Sequence, residues 1–95
     1  MIGIVATMRV VEGKGADFEA VFGKLAAQVR ANEPGCLFYH LTKSRKDPNV
    51  YKVLEGYKDQ AAVDAHGSSD YFKAGFGEMR GLLDGKADIE LLDGV

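Results

Sequence analysis

The chain has 95 residues, 46% hydrophobic and 27% charged, enough for one small domain with a thin core and unlike the composition of a disordered segment. Its 12 Lys and Arg stand against 14 Asp and Glu, a net charge of −2, which excludes the clustered basic excess that nucleic-acid binding needs. The single cysteine, Cys36, excludes an internal disulfide and fits a reducing cytoplasm, and no apolar run approaches the ~20 residues of a membrane span.

Residues Ile2 to Val10 alternate, with Ile2, Ile4, Ala6, Met8 and Val10 on one side, and this period of two predicts a strand rather than a signal peptide. Gly13-Lys14-Gly15 breaks it with a turn. From Asp17 to about Asn32, the residues Phe18, Val21, Phe22, Leu25 and Val29 form one helical stripe. Asp17 and Glu19 in the first turn and Arg30 near the last suit the helix dipole, and Glu33-Pro34-Gly35 ends the helix.

Cys36 to Ser44 reads as a second strand, with Cys36, Phe38, His40 and Thr42 on one face and Leu37, Tyr39 and Leu41 on the other. The basic cluster Lys43, Arg45 and Lys46 is a solvated strand end. Lys46-Asp47-Pro48-Asn49 is turn chemistry, and Val50 to Tyr57 returns as a third strand that completes a hairpin. Tyr51, Val53, Glu55 and Tyr57 share one face of it.

Asp59 is placed to cap a short helix through His66, which Gly67 stops. Ser68 or Ser69 caps the next helix, Asp70 to Leu83, whose stripe is Phe72, Phe76, Met79 and Leu83. Its glycines Gly75, Gly77 and Gly81 leave it dependent on tertiary packing. Asp88 to Leu92 is a short last strand. The order β-α-β-β-α-β predicts a single α+β domain over residues 1–95, ferredoxin-like, with helices on one face of an antiparallel sheet. The other face needs a cover, and a second copy packed sheet to sheet supplies it, so a homodimer is expected.

Several blocks, in this order, carry a resemblance: Gly13-Lys14 before the first helix, Glu33-Pro34-Gly35-Cys36 leading into Tyr39, Tyr51 with Glu55, Asp59 with Ala61-Ala62, and His66 followed by Ser69 and Phe72. Along nearly its whole length the chain resembles the antibiotic biosynthesis monooxygenase (ABM) family, and within it the quinol monooxygenase-like proteins. The resemblance implies a dimeric α+β barrel with a pocket between helices and sheet. It also implies oxidation of phenolic or quinol substrates by molecular oxygen without metal, flavin or haem. The chain has no tryptophan, so the Trp-containing site of the haem-degrading branch does not carry over.

Within that frame His66 is the expected catalytic base, since an imidazole titrating near neutrality can take a phenol's proton; the plainer reading is a helix-end histidine bonded to backbone carbonyls. Glu55 is flanked by apolar residues and either orients His66, holds a proton itself, or pairs with Arg9, Lys52 or a partner subunit. Tyr39, Tyr51 and Tyr57 are candidates to line an aromatic pocket and donate to a substrate oxygen, although tyrosines at strand spacing also serve core or interface. Phe72 and Phe76 are first a helix stripe and then a candidate pocket wall. His40 and Cys36 do not have metal-ligand spacing, and Gly13-Lys14-Gly15 is not a phosphate-binding loop, so neither a metal nor a cofactor site is expected. The alternatives to an oxygenase are a cofactor-free isomerase of a small sugar-derived signal and a non-catalytic dimeric module that binds an aromatic metabolite.

Overall fold

A computed structural model describes all residues 1–95. The elements are β1 (Ile2–Arg9), α1 (Gly15–Asn32), β2 (Cys36–Lys43), β3 (Val50–Tyr57), α2 (Gln60–Ser68), α3 (Asp70–Arg80) and β4 (Asp88–Asp93). They form one four-stranded antiparallel sheet in the order β2-β3-β1-β4. This is the α+β, ferredoxin-like arrangement that the alternating pattern predicts.

The helices cover one face. Ile4, Ala6 and Met8 from β1 and Tyr51, Val53, Glu55 and Tyr57 from β3 point into it, and all are buried. The stripe of α1 closes over them with Phe18, Phe22, Leu25, Ala26 and Val29. Gly75 lets α3 come close to α1: a Cβ there would stand 3.4 Å from Leu25. Its weak helix propensity is thus exchanged for close helix packing.

Capping chemistry sets the short helices. The Asp59 carboxylate accepts from the Ala62 N–H and the Ser69 hydroxyl from the Phe72 N–H. Two helix ends and one strand depart from the sequence reading. Gly67 does not stop α2, which runs on to Ser68 and so carries His66 within its last turns rather than at its end. α3 ends at Arg80, not Leu83, because Gly81 caps it. Leu83 is then drawn into an isolated bridge with Val10.

The third difference lies in β2. A bulge at Leu37 makes Cys36 pair with Tyr57 while Phe38 pairs with Gly56. The extra residue reverses the side-chain phase. Cys36 therefore turns toward the core with Tyr39 and Leu41, not outward with Phe38 and His40.

The opposite face of the sheet carries no helix. There the Phe38 ring lies against Gly56, where a Cβ would collide with it. Phe38, Leu54 and Leu92 are 38%, 39% and 45% exposed, a larger apolar show on one sheet face than scattered surface residues make. No helix is long and apolar enough to cross a membrane.

Candidate active site

Between the helix-covered face and α2–α3 lies a cavity of about 260 Å³. The sheet gives its floor, including Ile4, Ala6 and Met8, and Ile89 and Leu91 of β4. Phe72, Phe76 and Met79 of α3 form the facing wall, with Phe22 of α1. Ile89 and Leu91 are 52% and 56% exposed, so the cavity opens along the β4 edge. Twelve of its fifteen lining residues are hydrophobic, and only Glu55 and His66 can carry charge near neutral pH.

His66 is held by aromatic rings: Phe72 at 4.5 Å, Tyr39 at 5.3 Å and Tyr57 at 5.4 Å between centroids. Its Nδ1 lies 3.1 Å from both carboxylate oxygens of Glu33, and each of these two side chains is only 7% exposed. The Tyr71 hydroxyl donates to the same carboxylate. His66 Nε2 makes no hydrogen bond within the chain. No buried side-chain nitrogen or oxygen lacks a partner, so Nε2 is open to the cavity rather than sealed.

Glu55 does not orient His66; its Oε1 accepts from the Tyr57 hydroxyl at 2.7 Å. It makes no ion pair with Arg9 or Lys52 of its own chain, and Arg9 goes to Asp47. Burial in apolar surroundings lifts its carboxyl to about 7; the Tyr57 hydroxyl opposes that rise and the nearby charge of Glu33 adds to it. Tyr39, stacked on Phe22 with 5.2 Å between ring centroids, is raised above the usual phenol value, chiefly by burial. It remains a donor whose hydroxyl has no partner in the chain.

The cavity therefore brings together His66, Glu55, Tyr39, Phe72 and Phe76. Tyr57 stands behind it, bonded to Glu55. Tyr51 lies outside: its hydroxyl donates to Glu19 at 2.6 Å, and Lys43 reaches the same carboxylate. Sequence reasoning did not single out Glu33 or Tyr71. The only signal for Glu33 was its place in the Glu33-Pro34-Gly35-Cys36 block, which reads as a helix stop. Cys36 borders this region, and burial first, then Glu33 and Glu55, push its thiol up to about 11, which makes it a poor nucleophile. No three His, Cys, Asp or Glu side chains gather where a metal ion could sit.

The model of the antibiotic biosynthesis monooxygenase family matches residues 1–78, from β1 through most of α3. The chain belongs to that family. A candidate antibiotic biosynthesis monooxygenase from Caulobacter crescentus CB15 is 52% identical, with a TM-score of 0.96 over 99% of this chain and 89% of its own. A conserved protein from Methanosarcina mazei Go1 is 28% identical, with a TM-score of 0.89 over 96% of this chain and 89% of its own. A variant of SnoaB from Streptomyces nogalater, a cofactor-independent oxygenase, is 25% identical, with a TM-score of 0.85 over 98% of this chain and 91% of its own. A comparison with curated proteins returns no match. The family's fold matches the architecture described above, including the β4 edge that lies beyond the family match.

Proposed function

We propose that the chain is a cofactor-independent monooxygenase that oxidises a small quinol or polyphenol with molecular oxygen. The observation that carries this reading is an aromatic-walled, apolar cavity into which His66, Glu55 and the Tyr39 hydroxyl converge. The likeness to SnoaB supports it. His66 Nε2 takes the proton of a substrate hydroxyl, and the resulting anion is electron-rich enough to react with oxygen directly. Tyr39 donates to a substrate oxygen, and Glu55, poised near 7, accepts or returns a second proton. A quinol and one O2 balance to a hydroxyquinone and one water. The ring supplies all the electrons, so no external reductant enters. The apolar walls keep bulk water from the reacting ring.

Oxygen uptake by metal-free protein with a panel of quinols and polyphenols tests this. Uptake well above autoxidation is expected, with a loss on the order of 10²- to 10⁴-fold in His66→Ala. No uptake with any compound would reject the oxygenase.

Two proton-transfer groups in one cavity also suit a cofactor-free isomerase, which would turn over without oxygen. A sugar-derived substrate fits less well, because this lining would leave most of its hydroxyls unpaired. Ligand binding that survives His66→Ala, with no turnover at all, would instead mark a binding module.

The bare sheet face is part of the same proposal. Phe38, Leu54 and Leu92 pack against the same face of a second copy, giving a dimeric α+β barrel. Light scattering at micromolar concentration is expected to give twice the 10.3 kDa chain mass, and a monomer would reject the dimer.

A further inference from the structure

We propose that Glu33 is a positioning residue: its carboxylate holds the Nδ1 proton of His66 and so aims the Nε2 lone pair into the cavity. This rests on the reading of His66 as the base. A carboxylate only accepts hydrogen bonds, and both its oxygens lie 3.1 Å from Nδ1. With Glu33 ionised, Nδ1 carries the hydrogen, and in the neutral ring the lone pair is then on Nε2.

Three features argue for a positioning role over an incidental ion pair. Glu33 and His66 are each 7% exposed, so solvent does not screen the contact. The Tyr71 hydroxyl donates to Oε2, a second tie on the same carboxylate. Phe72, Tyr39 and Tyr57 fix the plane of the ring. When the substrate O–H bond breaks and the proton joins Nε2, the imidazolium forms beside a carboxylate already in place, with no reorganisation needed.

Four segments build this relay. Glu33 lies at the end of α1, where Pro34 stops the helix; His66 lies in α2, Tyr71 at the start of α3, and the cavity that receives Nε2 is floored by the sheet. A residue outside the cavity lining thus governs the chemistry inside it.

The test combines nitrogen NMR of the His66 ring with steady-state kinetics of wild type, Glu33→Gln and Tyr71→Phe. In wild type at about pH 8 the proton is expected on Nδ1, with Nε2 bare. In Glu33→Gln the amide can donate as well as accept, so the ring is expected to populate the other tautomer. Its kcat should fall by roughly tenfold or more with KM little changed. Tyr71→Phe should keep the wild-type tautomer and lose less activity. A proton on Nε2 in the wild type, in either a neutral or a doubly protonated ring, overturns the proposal. So does a Glu33→Gln protein with wild-type tautomer and kcat. If that variant does not fold, the wild-type spectrum alone decides. If the wild type takes up no oxygen, the oxygenase reading fails while the tautomer still answers for Glu33.

Discussion

Glu33 and Glu55 are both largely hidden and both accept from a tyrosine hydroxyl, yet their surroundings set them to different tasks. Glu33 follows α1 and faces two donors, His66 Nδ1 and the Tyr71 hydroxyl. Glu55 sits mid-strand with one donor and an apolar cavity in front of it. Depth alone does not define a buried carboxylate; the number and kind of donors do. One group fixes a ring, and the other is left poised to exchange a proton.

The largest effect expected from breaking this contrast is at Glu33. Glu33→Ala leaves the His66 Nδ1–H and the Tyr71 O–H without their acceptor, at a cost of about 3 kcal/mol in urea unfolding. A loss under about 1 kcal/mol would mean the two donors find water instead.

Glu55→Gln should act in the opposite direction. The folded-state carboxyl titrates at about 7 against an ordinary 4.5. Between those values the folded chain keeps a proton that the unfolded chain has released. Wild-type stability therefore falls as pH rises through that window, and the whole penalty is present above it. Glutamine cannot ionise, so the variant is expected to gain up to about 3 kcal/mol above neutrality and nothing in acid, read from unfolding curves across pH. A gain independent of pH would break the contrast.

The smallest effect belongs to Tyr51→Phe, which removes a hydrogen bond to the half-exposed Glu19, away from the cavity. It should cost less than about 1 kcal/mol and leave oxygen-uptake kinetics unchanged. A large loss of activity there would redraw the boundary of the site.

The fold was legible because it rests on short-range periodicity. The alternation in Ile2–Arg9 and the stripe Phe18, Phe22, Leu25 and Val29 each report which side of an element meets the core. The same patterns grouped Tyr39 with Leu41, Glu55 with Tyr51 and Val53, and Phe72 with Phe76, without telling which sheet face meets the helices. They were silent on which polar groups pair, because Glu33 and His66 are separated by the whole β2–β3 hairpin. Periodicity also treated Tyr51 and Glu55 as equals. Only their different positions along β3 separate a tyrosine bonded to Glu19 from a carboxylate in the cavity. The Leu37 bulge was illegible for a simpler reason: nothing in Cys36-Leu37-Phe38 departs from strand chemistry.

That bulge makes the segment between Glu33 and Tyr39 a parity device. Two residues of β2 stand opposite one of β3, so the chain leaving α1 enters the sheet half a pleat out of step with the rest of the strand. Without Leu37, Cys36 would stand next to Phe38, and regular alternation would still turn it inward opposite Tyr57, so losing that one residue removes the bulge and leaves Cys36 and Glu33 on the same side as before. Deletion of Leu37 should therefore be accepted, whereas deletion of one residue from the regularly paired stretch 39–42 should turn one part of the strand to the wrong face.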